Sequence, residues 1–348
     1  MWICWPTSSA RPGKFERKEL RPVRLDRHFA LQSLTDVTHL TRLTVAMNIL
    51  RASHLGMCFG VRDAIQLATR TARQQPLTIL GQLVHNDTVV GRLRAEGVHI
   101  ADTPAAVATP TVMITAHGAS DRAVTDLRDR GLHVLEATCP LVKLAHLAVR
   151  RLVRDGYHPI IIGQRNHVEV RGLTGDLDAF DVVLTEADVG QLVERPRLGV
   201  AAQTTQPSDR VQRLTRLIRQ RFPRSEVKLV DTVCRPTKDR QNAAVELAET
   251  SDVVVVIGGA ASNNTRELAA RCAQYCARVH QVQTAEDLDF DWFQAGDQVG
   301  LTAGTSTPDA VIDAVEARLR EMAAVLEGAG HGALAASSHE ELVPLTTC

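Results

Sequence analysis

Short apolar runs recur from about residue 47 onward, each bounded by turn-forming or polar residues. Val253-Val-Val-Val-Ile257 and Pro159-Ile-Ile-Ile162 are continuous rather than alternating, the pattern of parallel strands buried on both faces. His133-Val-Leu135, Val227-Lys-Leu-Val230 and the stretch opening at Met47-Asn-Ile-Leu-Arg-Ala52 read as further strands. Helical spacing follows in Arg62-Asp-Ala-Ile-Gln-Leu-Ala68, Lys143-Leu-Ala-His-Leu-Ala-Val149 and Asp239-Arg-Gln-Asn-Ala-Ala-Val-Glu-Leu-Ala248. The alternation predicts an α/β protein with parallel-rich sheets.

The pattern repeats three times around a cysteine. Cys58, Cys139 and Cys234 each end a strand-like stretch and open a helical one, and Pro140 and Pro236 suit a first helical turn. A strand ending in glycine follows each cysteine: Gly81, Gly163 and Gly258, at 23, 24 and 24 residues. Soon after each glycine come polar groups: His85, His167 and the pair Ser262/Asn264. A second strand in each unit ends in a small polar turn: Thr115-Ala-His117-Gly118, Ala202-Gln-Thr204-Thr205 and Thr302-Ala-Gly-Thr-Ser306. Ligands of open α/β sheets bind outside the carboxyl ends of strands. Three such units facing inward would gather three thiolates about one point, with a helix N-terminus favouring each thiolate.

Composition narrows the function. The 348 residues are enough for two or three domains. Lys+Arg and Asp+Glu are both 40, so the chain carries no overall basic field for nucleic acid. Aromatic residues are only 3%, which makes base-stacking platforms improbable. No apolar run approaches the roughly 18 residues of a membrane span. No secretory signal is legible, so a cytoplasmic location without nucleic-acid or membrane partners is expected. Seven cysteines, sparsely spread, do not make a disulfide scaffold.

Residues 1–46 differ from the rest, with eight Lys/Arg against four Asp/Glu and no sustained apolar period before Leu40. They read as a disordered leader, with Met47 a possible true start. The expected division is a first α/β lobe at 47–138, a second at 139–233, a third at 234–322 and a C-terminal tail at 323–348, loose from about Gly328 onward.

The chemistry turns on the cysteines. Zinc bound by three thiolates is possible, although no close C-x-x-C pair occurs. An iron–sulfur cluster held by three thiolates would leave one iron open to a substrate oxygen. His85, His117, His167, Thr204, Ser262, Asn264 and Ser306 are donors suited to phosphate or diphosphate. Glu169, in Asn166-His-Val-Glu-Val170, is a lone acid beside that anion site. Its pKa should be raised, and it could deliver a proton. Cys272 and Cys276 share a helix face within a predicted helix at 266–276 and read as core filling. His280 reads as an ordinary structural histidine.

These residues carry a resemblance. The stretch from about Met47 to Met322 is similar to the 4-hydroxy-3-methylbut-2-enyl diphosphate reductases. Its motifs are Gly56-Met-Cys58-Phe-Gly-Val61, Val84-His85-Asn86, Ala116-His117-Gly118, Ala137-Thr-Cys139-Pro-Leu-Val142, His167-Val-Glu169-Val170, Gln203-Thr204-Thr205, Asp231-Thr-Val-Cys234 and Thr302-Ala-Gly-Thr-Ser306-Thr-Pro308. The resemblance implies three pseudo-threefold-related α/β lobes around a central [4Fe-4S] cluster, with Cys58, Cys139 and Cys234 as its ligands. It implies that His85, His117, His167, Ser262, Asn264 and Ser306 grip the diphosphate, with Asn263 beside them. Glu169 would be the proton source and Thr204 its relay. The implied reaction is reductive dehydroxylation to isopentenyl and dimethylallyl diphosphate, in the methylerythritol phosphate route. Its electrons would come from ferredoxin or flavodoxin.

The chain departs from the family pattern at three places. Val168 stands where a proline is usual, Asn263 where a serine is usual, and Leu173 where a small polar residue is common. Two other readings stay open: an iron–sulfur paralogue acting as a redox or iron sensor, and a zinc-bound structural protein. The intact Glu169 and Thr204 speak against the sensor, which needs no proton relay.

Overall fold

A computed structural model of the chain describes residues 46–84 and 86–336, with only the backbone described at Asp87 and at 328–336. The described residues fall within one compact unit, Thr44–Cys348. The chain begins with β1 (Asn48–Arg51), α1 (Phe59–Ala72), β2 (Leu77–Leu80), α2 (Asp87–Ala95), β3 (His99–Ala101), β4 (Thr111–Ile114), α3 (Asp121–Asp129) and β5 (His133–Glu136). It continues through α4 (Pro140–Arg154), β6 (His158–Ile162), α5 (Val168–Thr174), β7 (Asp181–Val183), α6 (Glu186–Gln191), β8 (Arg197–Ala202), α7 (Ser208–Arg221) and β9 (Glu226–Leu229). It ends with α8 (Arg235–Thr250), β10 (Val253–Ile257), α9 (Asn263–Cys272), β11 (Arg278–Val282), β12 (Gln298–Ala303) and α10 (Asp309–Ala336).

The strands form three four-stranded sheets, ordered β3-β2-β4-β5, β7-β6-β8-β9 and β11-β10-β12-β1. Pairing is parallel throughout these sheets. The order is the same each time, and the strand that leads to a cysteine (β5, β9 or β1) always lies at a sheet edge. The central strands β2, β4 and β10 are wholly buried, as expected of Val/Ile-rich strands covered by helices on both faces.

The helices follow local rules. Asn86, Ser120 and Ser262 cap α2, α3 and α9 by accepting a hydrogen bond from the third following N–H. Pro140 and Pro236 occupy first-turn positions of α4 and α8, where no N–H is needed. Helix α4 buries Val142, Ala145, His146, Val149 and Leu152, a single face at helical spacing.

The structure departs from the expected boundaries at three points. Residues 48–51 are not part of the first lobe's sheet. They pair with β12, Arg51 opposite Leu301, and close the third sheet, while Met47 is buried against Val253 and Val299 in that core. The C-terminal tail expected from residue 323, loose from about Gly328, instead continues α10 to Ala336. Its alanines are strong helix formers, and Ala323 is buried beside Leu319 and Met322. Helix α9 ends at Cys272, not at residue 276. Cys272 and Cys276 are nonetheless both core residues, packed with Ala244, Val254 and Leu268. Residues 1–45, assigned to a leader, and 337–348 lie outside the described residues.

Candidate active site

Each sheet delivers one cysteine. Cys58, Cys139 and Cys234 are the N-cap residues of α1, α4 and α8, and none uses its side chain to cap its helix. Backbone bonds tie each cysteine loop to a turn beyond a neighbouring strand. Cys139 N–H donates to the Ala116 carbonyl at 3.0 Å, Cys234 N–H to the Thr204 carbonyl at 2.9 Å, and Gly56 N–H to the Ala303 carbonyl at 3.1 Å. The polar turns picked out by the repeat are therefore hydrogen-bonded to the cysteine loops. All three cysteines line one cavity together with His117, Glu169, Thr204, Thr205 and Arg240.

That cavity is closely fitted. A Cβ placed on Gly60, in the first turn of α1, would lie 2.7 Å from Cys139 Sγ and 2.9 Å from Cys139 Cβ. Gly60→Ala is therefore expected to destabilise the protein by about 1–3 kcal/mol, as overpacking commonly does. Its denaturant midpoint should fall, and any metal group held by Cys139 should be lost more readily. An unchanged midpoint and unchanged retention would show that the cysteine loops give way freely.

At Cys139 and Cys234 the helix N-termini do not win the contest over the thiol. Burial pushes the Cys139 thiol up, against the lowering effect of the Leu141 and Val142 N–H groups. Burial likewise pushes the Cys234 thiol up, against hydrogen bonds from Thr237. The sequence reading expected helix N-termini to favour thiolate. In the protein alone, desolvation outweighs them, and a bound cation is what would draw these two into the thiolate form.

Glu169 is 1% exposed and sits in the first turn of α5. One carboxyl oxygen accepts from Thr204 N–H at 2.6 Å, and the other from the Thr204 hydroxyl at 3.1 Å. Burial raises its pKa to about 7, the two Thr204 bonds holding it lower than burial alone would. The expectation of a raised acid holds. Its cause here is desolvation, whereas the sequence reading attributed it to a neighbouring anion. Thr204 itself is 3% exposed.

A second cavity adjoins the first, sharing Val61, His117, Thr205 and Thr305 with it. Its walls include His167, Gln203, Ser262, Asn263, Asn264 and Ser306. His167 Nδ1 accepts from Glu169 N–H at 3.1 Å, so a neutral ring carries its proton on Nε2. The His117 and His167 rings meet edge to face, centroids 5.2 Å apart. Asn264 Oδ1 accepts from Thr305 N–H at 3.0 Å, which ties α9 to the turn after β12. The Ser306 hydroxyl is buried with no hydrogen-bond partner among the described residues. A buried hydroxyl left unpaired is costly, and a ligand oxygen would satisfy it.

Ten of the eleven other site residues predicted from sequence, those apart from Asn263, and Asn263 itself thus need only two adjoining cavities, with one gap: His85 lies outside the described residues. Its neighbour Val84 lines the second cavity, and Asn86 caps α2. Of the departures, Val168 is the first residue of α5, where a proline is also tolerated, and its methyls abut Gly81. Leu173 faces the core among Val149, Tyr157 and Ile161, away from either cavity. Asn263 does line the second cavity. Sequence reasoning missed Thr205, Thr305, Gln203 and Arg240 as lining residues. The first three neighbour singled-out residues in the polar turns. Arg240 lies six positions after Cys234, on the helix that this cysteine opens. His280, set aside as structural, stacks on Trp292 with ring centroids 4.0 Å apart.

Comparison with known proteins agrees with this geometry. Residues 49–320 match the family model described as LytB protein. The 4-hydroxy-3-methylbut-2-enyl diphosphate reductase of Aquifex aeolicus is 37% identical over 282 residues, covering 79% of this chain and 97% of the relative. That of Geobacter sulfurreducens is 36% identical over 277 residues, covering 79% and 98%. A solved structure of (E)-4-hydroxy-3-methyl-but-2-enyl diphosphate reductase, described as the terminal enzyme of the non-mevalonate pathway, is 36% identical with a TM-score of 0.59. It covers 79% of this chain and 99% of that one. The Plasmodium falciparum reductase structure is 26% identical, with a TM-score of 0.71 over 77% of this chain and 86% of its own. The chain belongs to the LytB family, that of the 4-hydroxy-3-methylbut-2-enyl diphosphate reductases.

Proposed function

We propose that the protein reduces 4-hydroxy-3-methylbut-2-enyl diphosphate to isopentenyl and dimethylallyl diphosphate, as the last reductive step of the methylerythritol phosphate route. The observation that carries this reading is the buried pair Glu169 and Thr204, hydrogen-bonded together and lining the same cavity as three cysteines from three sheets. The overall change is the breaking of a C–O bond, the making of a C–H bond and the release of water, with two electrons and two protons supplied.

The donor set suits an iron–sulfur group held by Cys58, Cys139 and Cys234. Among the described residues no three His, Cys, Asp or Glu side chains converge closely enough to hold a single ion. Four-coordinate zinc needs each sulfur about 2.3 Å from one centre, whereas a group of several irons accepts sulfurs that stand farther apart. When bound, a [4Fe-4S] cluster with three cysteine ligands supplies single-electron transfer and an open Lewis-acid position for a substrate oxygen.

The chain's own residues do the rest. Glu169, with a pKa of about 7, is a mixture of acid and carboxylate near neutrality, which suits a proton donor. The Thr204 hydroxyl, 3.1 Å from its carboxyl oxygen, relays that proton toward the substrate hydroxyl. The diphosphate takes the second cavity. His167 offers Nε2–H, and Ser306 offers a hydroxyl that lacks a partner among the described residues. Ser262, Asn263, Asn264, His117 and His85 complete the grip. Ser262 and Ser306 are buried, and His117, His167, Asn263 and Asn264 are half-buried, which strengthens each charge-assisted bond they make. Electrons come from a one-electron carrier, ferredoxin or flavodoxin. The five described cysteines are all free, in keeping with the cytoplasm. Among the described residues no helix is long and apolar enough to cross a membrane.

The test is anaerobic purification, visible absorption and iron content, followed by addition of the substrate with a reduced viologen dye. A brown protein that oxidises the dye only with substrate is expected. A brown protein that leaves the dye reduced would favour the sensor or a changed substrate. A colourless protein whose thiols hold zinc would sink the cluster reading.

A further inference from the structure

Arg240 is 8% exposed, yet among the described residues no carboxylate holds its guanidinium. Among the described residues its hydrogen bonds go to backbone: Nε–H to the Gly56 carbonyl at 3.0 Å and Nη1–H to the Pro236 carbonyl at 2.9 Å. Asp239, its neighbour in sequence, is already engaged by Arg235 at 3.0 Å. A buried cation without a counter-ion is costly, and burial accordingly lowers its pKa. The groups that favour its charge are foremost the Cys58 and Cys234 sulfurs, and all three residues line the same cavity. The two carbonyls it clamps lie two residues before Cys58 and two after Cys234.

We propose that Arg240 is the fixed counter-charge of the cysteine centre, poised between the Cys58 and Cys234 loops to offset the negative charge that their thiolates and a bound cluster bring. This rests on the reading of those cysteines as cluster ligands. It makes Arg240 a positioning residue whose unpaired charge is useful only once the centre is loaded. Each electron added to the cluster adds a negative charge, so a nearby buried cation favours the reduced form and raises the potential. A clamp alone would hold the loops equally well in the loaded and metal-free proteins and would leave the potential where it was.

The test compares wild type with Arg240→Lys and Arg240→Met, each as the full chain, loaded anaerobically and metal-free. The potential is read by a dye-mediated titration, and iron retention by transfer to a chelator. Arg240→Met should show a more negative midpoint potential and lose iron at least about tenfold faster. Arg240→Lys, keeping the charge, should recover most of the potential. Metal-free Arg240→Met should melt no lower than metal-free wild type, whereas the loaded variant should melt lower than loaded wild type. Should Arg240→Met load no iron while Arg240→Lys loads it, the counter-charge is again supported. A loaded Arg240→Met with an unshifted potential overturns the proposal, as does equal loss of stability with and without metal. Failure of both variants to load, beside a loaded wild type, also overturns it in favour of a clamp that needs the guanidinium fork. A wild type that takes up no iron instead overturns the cluster reading itself.

Discussion

Glu169→Gln lowers turnover by about 10²–10⁴-fold, the usual worth of a positioned proton donor, while iron content and visible absorption stay at wild-type levels. The amide fills the same space beside Thr204 but holds no proton to give near neutrality. Steady-state dye oxidation with substrate, beside an iron assay, separates the two quantities. A variant reducing substrate at an undiminished rate would mean that the proton comes from elsewhere.

The acid also sets a pH dependence. Wild-type turnover should decline as pH rises through about 7, where Glu169 gives up its proton, and the residual activity of the Gln variant should not follow that curve. The same group acts on stability. Its pKa is raised from 4.5 to about 7 in the folded protein, so the native state binds the proton more tightly than the unfolded chain does. The resulting stabilisation is fully present below about pH 4.5 and is lost as pH rises through 7. The loss amounts to about 3 kcal/mol at most, from some 1.4 kcal/mol per pKa unit. In the metal-free protein, Glu169→Gln should therefore gain in melting temperature relative to wild type between pH 5 and pH 8. A constant difference across that range would show that Glu169 does not change its charge there.

Cys58→Ala should abolish reduction of the substrate and leave the protein essentially without iron, an effect beyond the 10–100-fold typical of losing a residue that merely supports a ligand. Cys58 is half-buried and its side chain caps nothing, so the fold should survive. Circular dichroism and the denaturant midpoint check the fold, and iron per chain checks the centre. Cys272→Ala is the companion measurement. This thiol packs in the core and is pushed up to about 12, burial being the main cause. Its loss should cost stability and leave iron unchanged. If Cys58→Ala kept its iron and Cys272→Ala lost it, the ligand assignment would be wrong.

Much of this architecture is legible in the sequence because it is local. The run Val253-Val-Val-Val-Ile257 is a buried strand, and the glycines after β2, β6 and β10 stand where the repeat put them. The three cysteines fall at helix starts because a strand-to-helix turn has short-range signatures. What was not legible depends on partners far away in sequence. Asn48–Arg51 reads as the first strand of the first lobe, yet its hydrogen-bonding partner begins at Gln298. Nothing nearby shows that Leu173 turns toward Val149 and Ile161. Thiol chemistry was misjudged in direction for Cys139 and Cys234, because a helix N-terminus is visible in sequence and desolvation is not. Arg240 carries no local signal of its place, because only the fold buries it in the cavity that the cysteines line.

The closure of the third sheet by β1 has a consequence for biosynthesis. Arg51 pairs with Leu301, 250 residues later, so the edge strand that leads to Cys58 waits for its neighbour through most of translation. At about 5–20 residues per second that wait is roughly 10–50 s. The second and third cysteines emerge on sheets that are complete without the C-terminal region, whereas the loop carrying Cys58 gains its support last. A ribosome-stalled chain ending before Gln298 would display all three thiols with only two of them anchored. If the three thiols hold the proposed cluster, loading with iron and sulfide would therefore follow release of the finished chain.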